Sequence, residues 1–151
     1  MKKIIILTAM TKKFIIGYYE KLPWNIPEEI EHFKQITTEK IIIVGRKTYL
    51  SMNVESLRNR QFIIVSYSGL LLEDVLKLTK LKDDITVIGG SEIYKQTLQF
   101  ATHAIISIMN TNYMGDVFFP NFNIYEWHID CIENRNRFYV LQISKIGVSV
   151  M

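Results

Sequence analysis

Apolar positions along this chain fall in short unbroken runs, and between the runs polar residues recur with a helical period. Ile4 to Met10 is the first run, and an apolar stretch of this length suits a strand buried on both faces. Lys40 to Val44 is a second, ending at Gly45, and Gln61 to Ser66 holds a third in Phe-Ile-Ile-Val. Ile85 to Ile88, stopped by Gly89-Gly90, and His103 to Met109 complete five such strands. Pro27 opens a helix over 27–37, since its missing N–H costs nothing in a first turn. On that helix Glu29 and Phe33 share a face flanked by Ile30 and Ile36, while Glu28, Glu31, Lys34 and Gln35 turn away. A short helix is predicted over 46–52, another over 71–80 from Leu71, Val75 and Leu78, and a third from Ser91 to Phe100. Thr11 to Leu22 carries Gly17 and no helical period, and reads as a loop. Two further strands, near 126–133 and 137–149, flank a turn at Asn134-Arg135-Asn136.

This alternation predicts an α/β fold: a mostly parallel central sheet, helices on both faces, and an antiparallel C-terminal edge. Ligands in such sheets bind beyond the carboxyl ends of the strands. Gly45, Gly89 and the segment after Met10 all stand at such ends.

Composition narrows the class. A chain of 151 residues, 48% hydrophobic and 22% charged, is expected to be one domain over 1–151 with a sizeable core. The net charge of +3 comes from scattered lysines and arginines, which does not suit a nucleic-acid partner. The single cysteine, Cys131, can form no internal disulfide and fits a reducing compartment, where it reads as a small buried hydrophobe. Met1-Lys2-Lys3 followed by Ile4 to Met10 has the outline of a signal peptide. The run is short, however, and Lys12 and Lys13 follow it without a small-residue cleavage site. No segment reaches membrane-spanning length. The expectation is a soluble cytoplasmic protein without a membrane partner.

Four places could carry chemistry. Glu29 lies on one helical face with Phe33, beside Trp24. A carboxyl held among apolar groups gains proton affinity and can handle a proton or grip a cationic heterocycle. Equally, a carboxylate there could simply complement the helix dipole. Gly45-Arg46-Lys47-Thr48, at a strand-to-helix junction, has the composition of a phosphate site or of an ordinary solvated turn. Ile88-Gly89-Gly90-Ser91 could leave room for a dinucleotide or form a tight structural turn, and it lacks the spacing of the Rossmann fingerprint. Arg60, before an apolar strand, is a carboxylate fork or a surface residue. His32, His103 and His128 are isolated and show no metal-ligand spacing, and no serine sits in a nucleophile elbow. No metal is expected.

Taken in order, Ala9, Ile16-Gly17, Leu22-Pro23-Trp24-Asn25, Pro27-x-Glu29-x-x-x-Phe33, Gly45-Arg46-x-Thr48, Arg60, Ile88-Gly89-Gly90, Tyr94, Gly115-Asp116 and Phe119-Pro120 resemble the dihydrofolate reductases across nearly the whole chain. The resemblance implies a monomeric enzyme that transfers a hydride from NADPH to C6 of 7,8-dihydrofolate and a proton to N5. Its small-molecule partners would be dihydrofolate and antifolate-type compounds. Glu29 would be the acid of the pterin pocket, Trp24 would help hold a water there, and Leu22 and Tyr94 would complete the catalytic surroundings. Ser107 matches a hydroxyl position that hydrogen-bonds the acid. Leu7, Thr8, Ala9 and Ile88 would floor the substrate site, with Ile30, Phe33, Met52 and Leu57 as walls and Arg60 gripping the glutamate α-carboxylate. For the cofactor, Ala9, Ile16, Gly17, Ile88 and Tyr94 would surround the nicotinamide. Gly45, Arg46, Lys47 and Thr48, with Ser66 and Tyr67, would face the phosphates and adenosine. Gly89, Gly90, Ser91, Glu92 and Ile93 would close that side, and residues 11–25 would cover the nicotinamide.

The chain departs from the family pattern in a short segment between Ser66 and Ile85, in Glu92 where relatives carry a basic residue, and in Arg58-Asn59 for the usual Pro-Gly. Two rival readings are a reductase of riboflavin synthesis and a non-catalytic pterin- or nucleotide-binding descendant. Trp24-x-x-Pro27-x-Glu29 argues against the first, and retention of Glu29, Arg60 and both glycine motifs against the second.

Overall fold

The apolar runs pair side by side in one sheet. In a computed structural model that describes residues 2–18, 21–52, 57–66 and 83–147, they are β1 (Ile4–Met10), β3 (Ile41–Gly45), β4 (Gln61–Val65), β5 (Ile85–Val87) and β6 (His103–Met109). With β8 (Trp127–Asn134) and β9 (Phe138–Lys145) they form a seven-stranded sheet in the order β4-β3-β5-β1-β6-β9-β8. The first five strands in that order run parallel, and β9 and β8 add the antiparallel edge.

Strand alternation divides the core in two. Ile6, Met10, Ile43, Val87 and Ile106 face one side with Ile93 and Tyr94 of α3 (Ser91–Thr97). Leu7, Ile42, Val44, Ile105 and Phe138 face the other, under Phe33 and Ile36 of α1 (Pro27–Thr37) and Tyr49 of α2 (Arg46–Ser51). Helices therefore cover both faces. The register sets Ile43 beside Val87, so the two glycine junctions come together: the Gly45 N–H donates to the Gly89 carbonyl at 2.7 Å.

The run with a signal-peptide outline is β1, fully inside the sheet between β5 and β6. The segment 11–22, read as a loop, contains β2 (Ile15–Gly17), paired antiparallel with β7 (Val117–Phe118). Three residues are too few for a period to show, and their partner lies far along the chain. The Ser91 helix stops at Thr97, whose hydroxyl bonds back to the Ile93 carbonyl, and Leu98 to Phe100 form a turn. Cys131 is exposed, contrary to the buried reading. It lies on the edge strand β8 just after an irregularity in which Asp130 is an extra residue, and this resets which side chains face outward. The expected helix over 71–80 and Tyr67 fall outside the described residues.

Candidate active site

The carboxyl ends of β1, β3 and β5 open into a cleft of about 1070 Å³. That is slightly above the roughly 300–1,000 Å³ common for single small-molecule sites, and it suits two ligands side by side. β1 contributes Leu7, Thr8 and Ala9 to its floor, and α1 contributes Glu29, Ile30 and Phe33. Leu22 and Met52 with Leu57 close this end.

Pro27 starts α1 and Glu29 follows within its first turn, but the side chain is aimed inward: the residue is only 7% exposed. Burial pushes the Glu29 carboxyl from 4.5 up to about 7. The dipole reading alone does not account for a buried acid on a cleft wall. Nearby, Tyr94 is buried and donates its hydroxyl to the Leu7 carbonyl. Burial raises its pKa, with Glu29 adding to the effect and a hydrogen bond with Thr8 opposing it.

The opposite end is built from the two glycine junctions. Arg46 and Lys47 are exposed at the start of α2 with Thr48 beside them, and Gly90, Ser91 and Glu92 face them from α3. Side chains would close this end: a Cβ on Gly45 would meet Ile93 Cγ1 at 3.0 Å, and one on Gly90 would meet Thr48 Oγ1 at 3.0 Å. Gly89, at φ +111°, occupies backbone space open mainly to glycine. Between the ends stand Ile16, Gly17, Ile88, Ile93 and Tyr94, with Ser66 beyond Arg46. A narrow backbone cradle with two cations beside it fits a dinucleotide phosphate.

Some expected residues stand off the cleft wall. Trp24 and Ser107 are buried behind it, and Gly89 lies beneath Gly90. The Ser107 hydroxyl has no hydrogen-bond partner among the described residues, so the expected bond to the acid is not made. Arg60 lines a separate polar depression of about 630 Å³ at the amino ends of β3 and β4. Its guanidinium donates to Thr37 Oγ1 (2.8 Å), to the carbonyls of Lys34 (2.7 Å) and Arg58 (2.5 Å), and to Thr38 Oγ1 (3.2 Å). Four of its five N–H donors are thereby engaged at the end of α1. Asn59, in place of the expected glycine, adopts φ +60°.

Ser51, Val65, Gln96 and Val117 also line the cleft and were not foreseen, and Lys34, read as turned away from the Glu29 face, lines it as well. Lys34 is brought to the wall by its place four residues after Ile30 rather than by the Glu29–Phe33 face, and Gln96 follows Glu92 by the same spacing. Val117 was not, because it arrives through the β2–β7 pairing.

A cleft with a glycine cradle and two exposed cations at one end and a buried carboxyl of raised proton affinity at the other has the layout of a nucleotide-dependent α/β reductase. The chain matches the dihydrofolate reductase family over residues 3–138. It is 36% identical over 129 residues to the dihydrofolate reductase of Buchnera aphidicola subsp. Schizaphis graminum, covering 80% of each chain. With the dihydrofolate reductase of Haemophilus influenzae it shares 33% identity over 139 residues, covering 86% of each. In fold it resembles a solved dihydrofolate reductase from Enterococcus faecalis, complexed with NADP(H) and RAB-propyl, at a TM-score of 0.83 and 21% identity over 96% of this chain and 97% of that one. This chain belongs to the dihydrofolate reductase family. Its reaction is the NADPH-dependent reduction of 7,8-dihydrofolate to 5,6,7,8-tetrahydrofolate.

Proposed function

We propose a specific assignment of roles in that reaction, carried by one observation: the only buried carboxyl on the described cleft wall is Glu29, and burial holds it near a pKa of 7. The pterin lies against Leu7, Ala9, Ile30 and Phe33, with Glu29 taking its 2-amino group and N3 and favouring the protonated form at N5. A carboxyl tuned close to the working pH can be either proton holder or hydrogen-bond acceptor at little cost. Leu22, which is half exposed, covers the reacting rings and excludes water, and Trp24 supports the acid from behind. NADPH, when bound, supplies the hydride. Arg46, Lys47, Thr48 and Ser66 hold its phosphates and adenosine, and the cradle of Gly45, Gly89 and Gly90 lets its backbone approach closely. Aligning the two rings in one dry cleft is then the main contribution of the protein. Arg60, rigidly tied to α1 next to the cleft-lining Lys34, is assigned the glutamate tail through its remaining N–H. Antifolate-type molecules enter the pterin end.

The reading includes one domain over 1–151 acting as a monomer in the cytoplasm. One sheet carries both ends of the cleft, and the unpaired Cys131 suits a reducing compartment. The direct test is NADPH oxidation followed by absorbance with and without dihydrofolate. Consumption of NADPH only when both are present is expected. Tight dihydrofolate binding without oxidation would instead mark a non-catalytic pterin-binding protein.

A further inference from the structure

His32 is not used by the assignment above, yet it is one of three buried residues of α1, with Glu29 and Thr37. It lies three positions after Glu29, so the two side chains are neighbours on one helical face. His32 is 4% exposed, and its Nε2 is buried with no hydrogen-bond partner among the described residues. Its ring packs against Phe138, with centroids 6.4 Å apart. Phe138 shares an apolar cluster with Trp24, Met109 and Val140. Ser107 stands in the same layer, two residues before Met109 on β6 and paired with Val140 of β9.

Two more buried polar atoms without a hydrogen-bond partner among the described residues occur in this layer, Trp24 Nε1 and Ser107 Oγ. The three are chemically complementary around a carboxyl. An indole N–H only donates, a hydroxyl does both, an imidazole nitrogen does either, and a carboxylate only accepts. Buried groups of this kind are satisfied through shared ordered water. An apolar side chain would fill the space against Phe138 without this requirement, so the imidazole nitrogen points to a polar role.

We propose that His32 is a positioning residue for Glu29, acting through a buried hydrogen-bond network shared with Trp24 Nε1 and Ser107 Oγ. The proposal rests on the reading of Glu29 as the proton-handling group of the cleft. The network would orient the carboxyl toward the pterin and stabilise its ionised form against burial. The charged groups that act on His32 are Arg135 and Glu133 on the β8–β9 hairpin, and Glu29 precedes it by one turn on α1. Tyr94 faces Glu29 from α3.

The test reads the Glu29 carboxyl itself, by carbon-13 NMR titration of the free protein labelled at glutamate and assigned with Glu29→Gln. In His32→Phe the midpoint should rise by roughly half a pH unit or more, because the carboxylate loses hydrogen-bond support. In His32→Gln, which keeps a donor and an acceptor, it should move less. The pH midpoint of kcat should follow, with KM for NADPH unchanged. Nitrogen-15 shifts of the His32 ring supply a second measurement that leaves His32 in place, and they should change in Glu29→Gln. An unmoved midpoint in folded His32→Phe, or identical His32 ring shifts with and without the Glu29 carboxyl, would overturn the proposal. If the protein fails to reduce dihydrofolate, the functional reading falls, while coupling between the two side chains is still decided by these titrations.

Discussion

The hydroxyl of Tyr94, on α3, donates to the carbonyl of Leu7 in the strand next to β5, at 2.8 Å across the top of the sheet. This bond ties the helix that follows the glycine cradle to the strand that floors the pterin end. Both groups are buried. Tyr94→Phe should therefore leave the Leu7 carbonyl unpaired and destabilise the protein by about 1–3 kcal/mol, read from urea unfolding. Turnover should fall as the two halves of the cleft lose their fixed separation. Unchanged stability would mean that the bond contributes nothing net.

Glu29 makes stability depend on pH in a definite direction. Its carboxyl is raised from 4.5 to about 7 in the folded protein. Between these values the unfolded chain has lost the proton and the folded chain retains it, so the folded state binds more protons. The Glu29 contribution to stability is complete below about 4.5, declines as pH rises through about 7, and is level above that. A shift of this size corresponds to at most roughly 3–4 kcal/mol. Glu29→Gln should abolish this decline and be more stable than wild type at alkaline pH in paired unfolding curves.

The same substitution should cost activity severely at neutral pH, with partial recovery at low pH where dihydrofolate arrives already protonated. Near wild-type turnover of Glu29→Gln at neutral pH, measured by NADPH oxidation, would remove Glu29 from the mechanism.

Arg46 is exposed at the cofactor end, where a guanidinium can pair with the 2′-phosphate through two hydrogen bonds. Arg46→Ala should raise KM for NADPH about tenfold or more and leave KM for NADH nearly unchanged. Glu92, facing Arg46 from α3, opposes the preference and keeps it narrow, and because salt screens the exposed Arg46 the NADPH over NADH ratio should fall further as salt is raised. Equal loss of both cofactors would assign discrimination elsewhere.

Arg60 combines two roles that can be separated. Its bonds to Lys34, Thr37 and Thr38 cap the end of α1, so Arg60→Ala should lower the melting temperature. If it also holds the glutamate tail, dihydrofolate affinity should fall by roughly 1.5–3 kcal/mol while a pterin-like inhibitor without a carboxylate binds as before. Equal losses for both ligands would leave the arginine with the structural role alone.

Much of this molecule was written in local pattern. The apolar runs from Ile4, Ile41 and His103 became parallel strands because an unbroken β-branched run buries both faces without any partner being specified. The inward direction of Glu29 follows from its spacing to Phe33 on a helix that Pro27 begins. The family motifs named the cleft residues for the same reason, since each is a short local signature.

Tertiary structure decided what depends on residues far apart in the chain. The pairing of Ile15–Gly17 with Val117–Phe118 has no local period to betray it. Cys131 is exposed because β8 ended up as an edge strand with an extra residue at Asp130. The raised proton affinity of Glu29 needed the sheet, α1 and the cleft wall to remove it from water together. Arg60 spends most of its donors on the end of α1, and Ser107 makes no bond to the acid, because side-chain partners are set by packing distances that spacing along a chain does not contain.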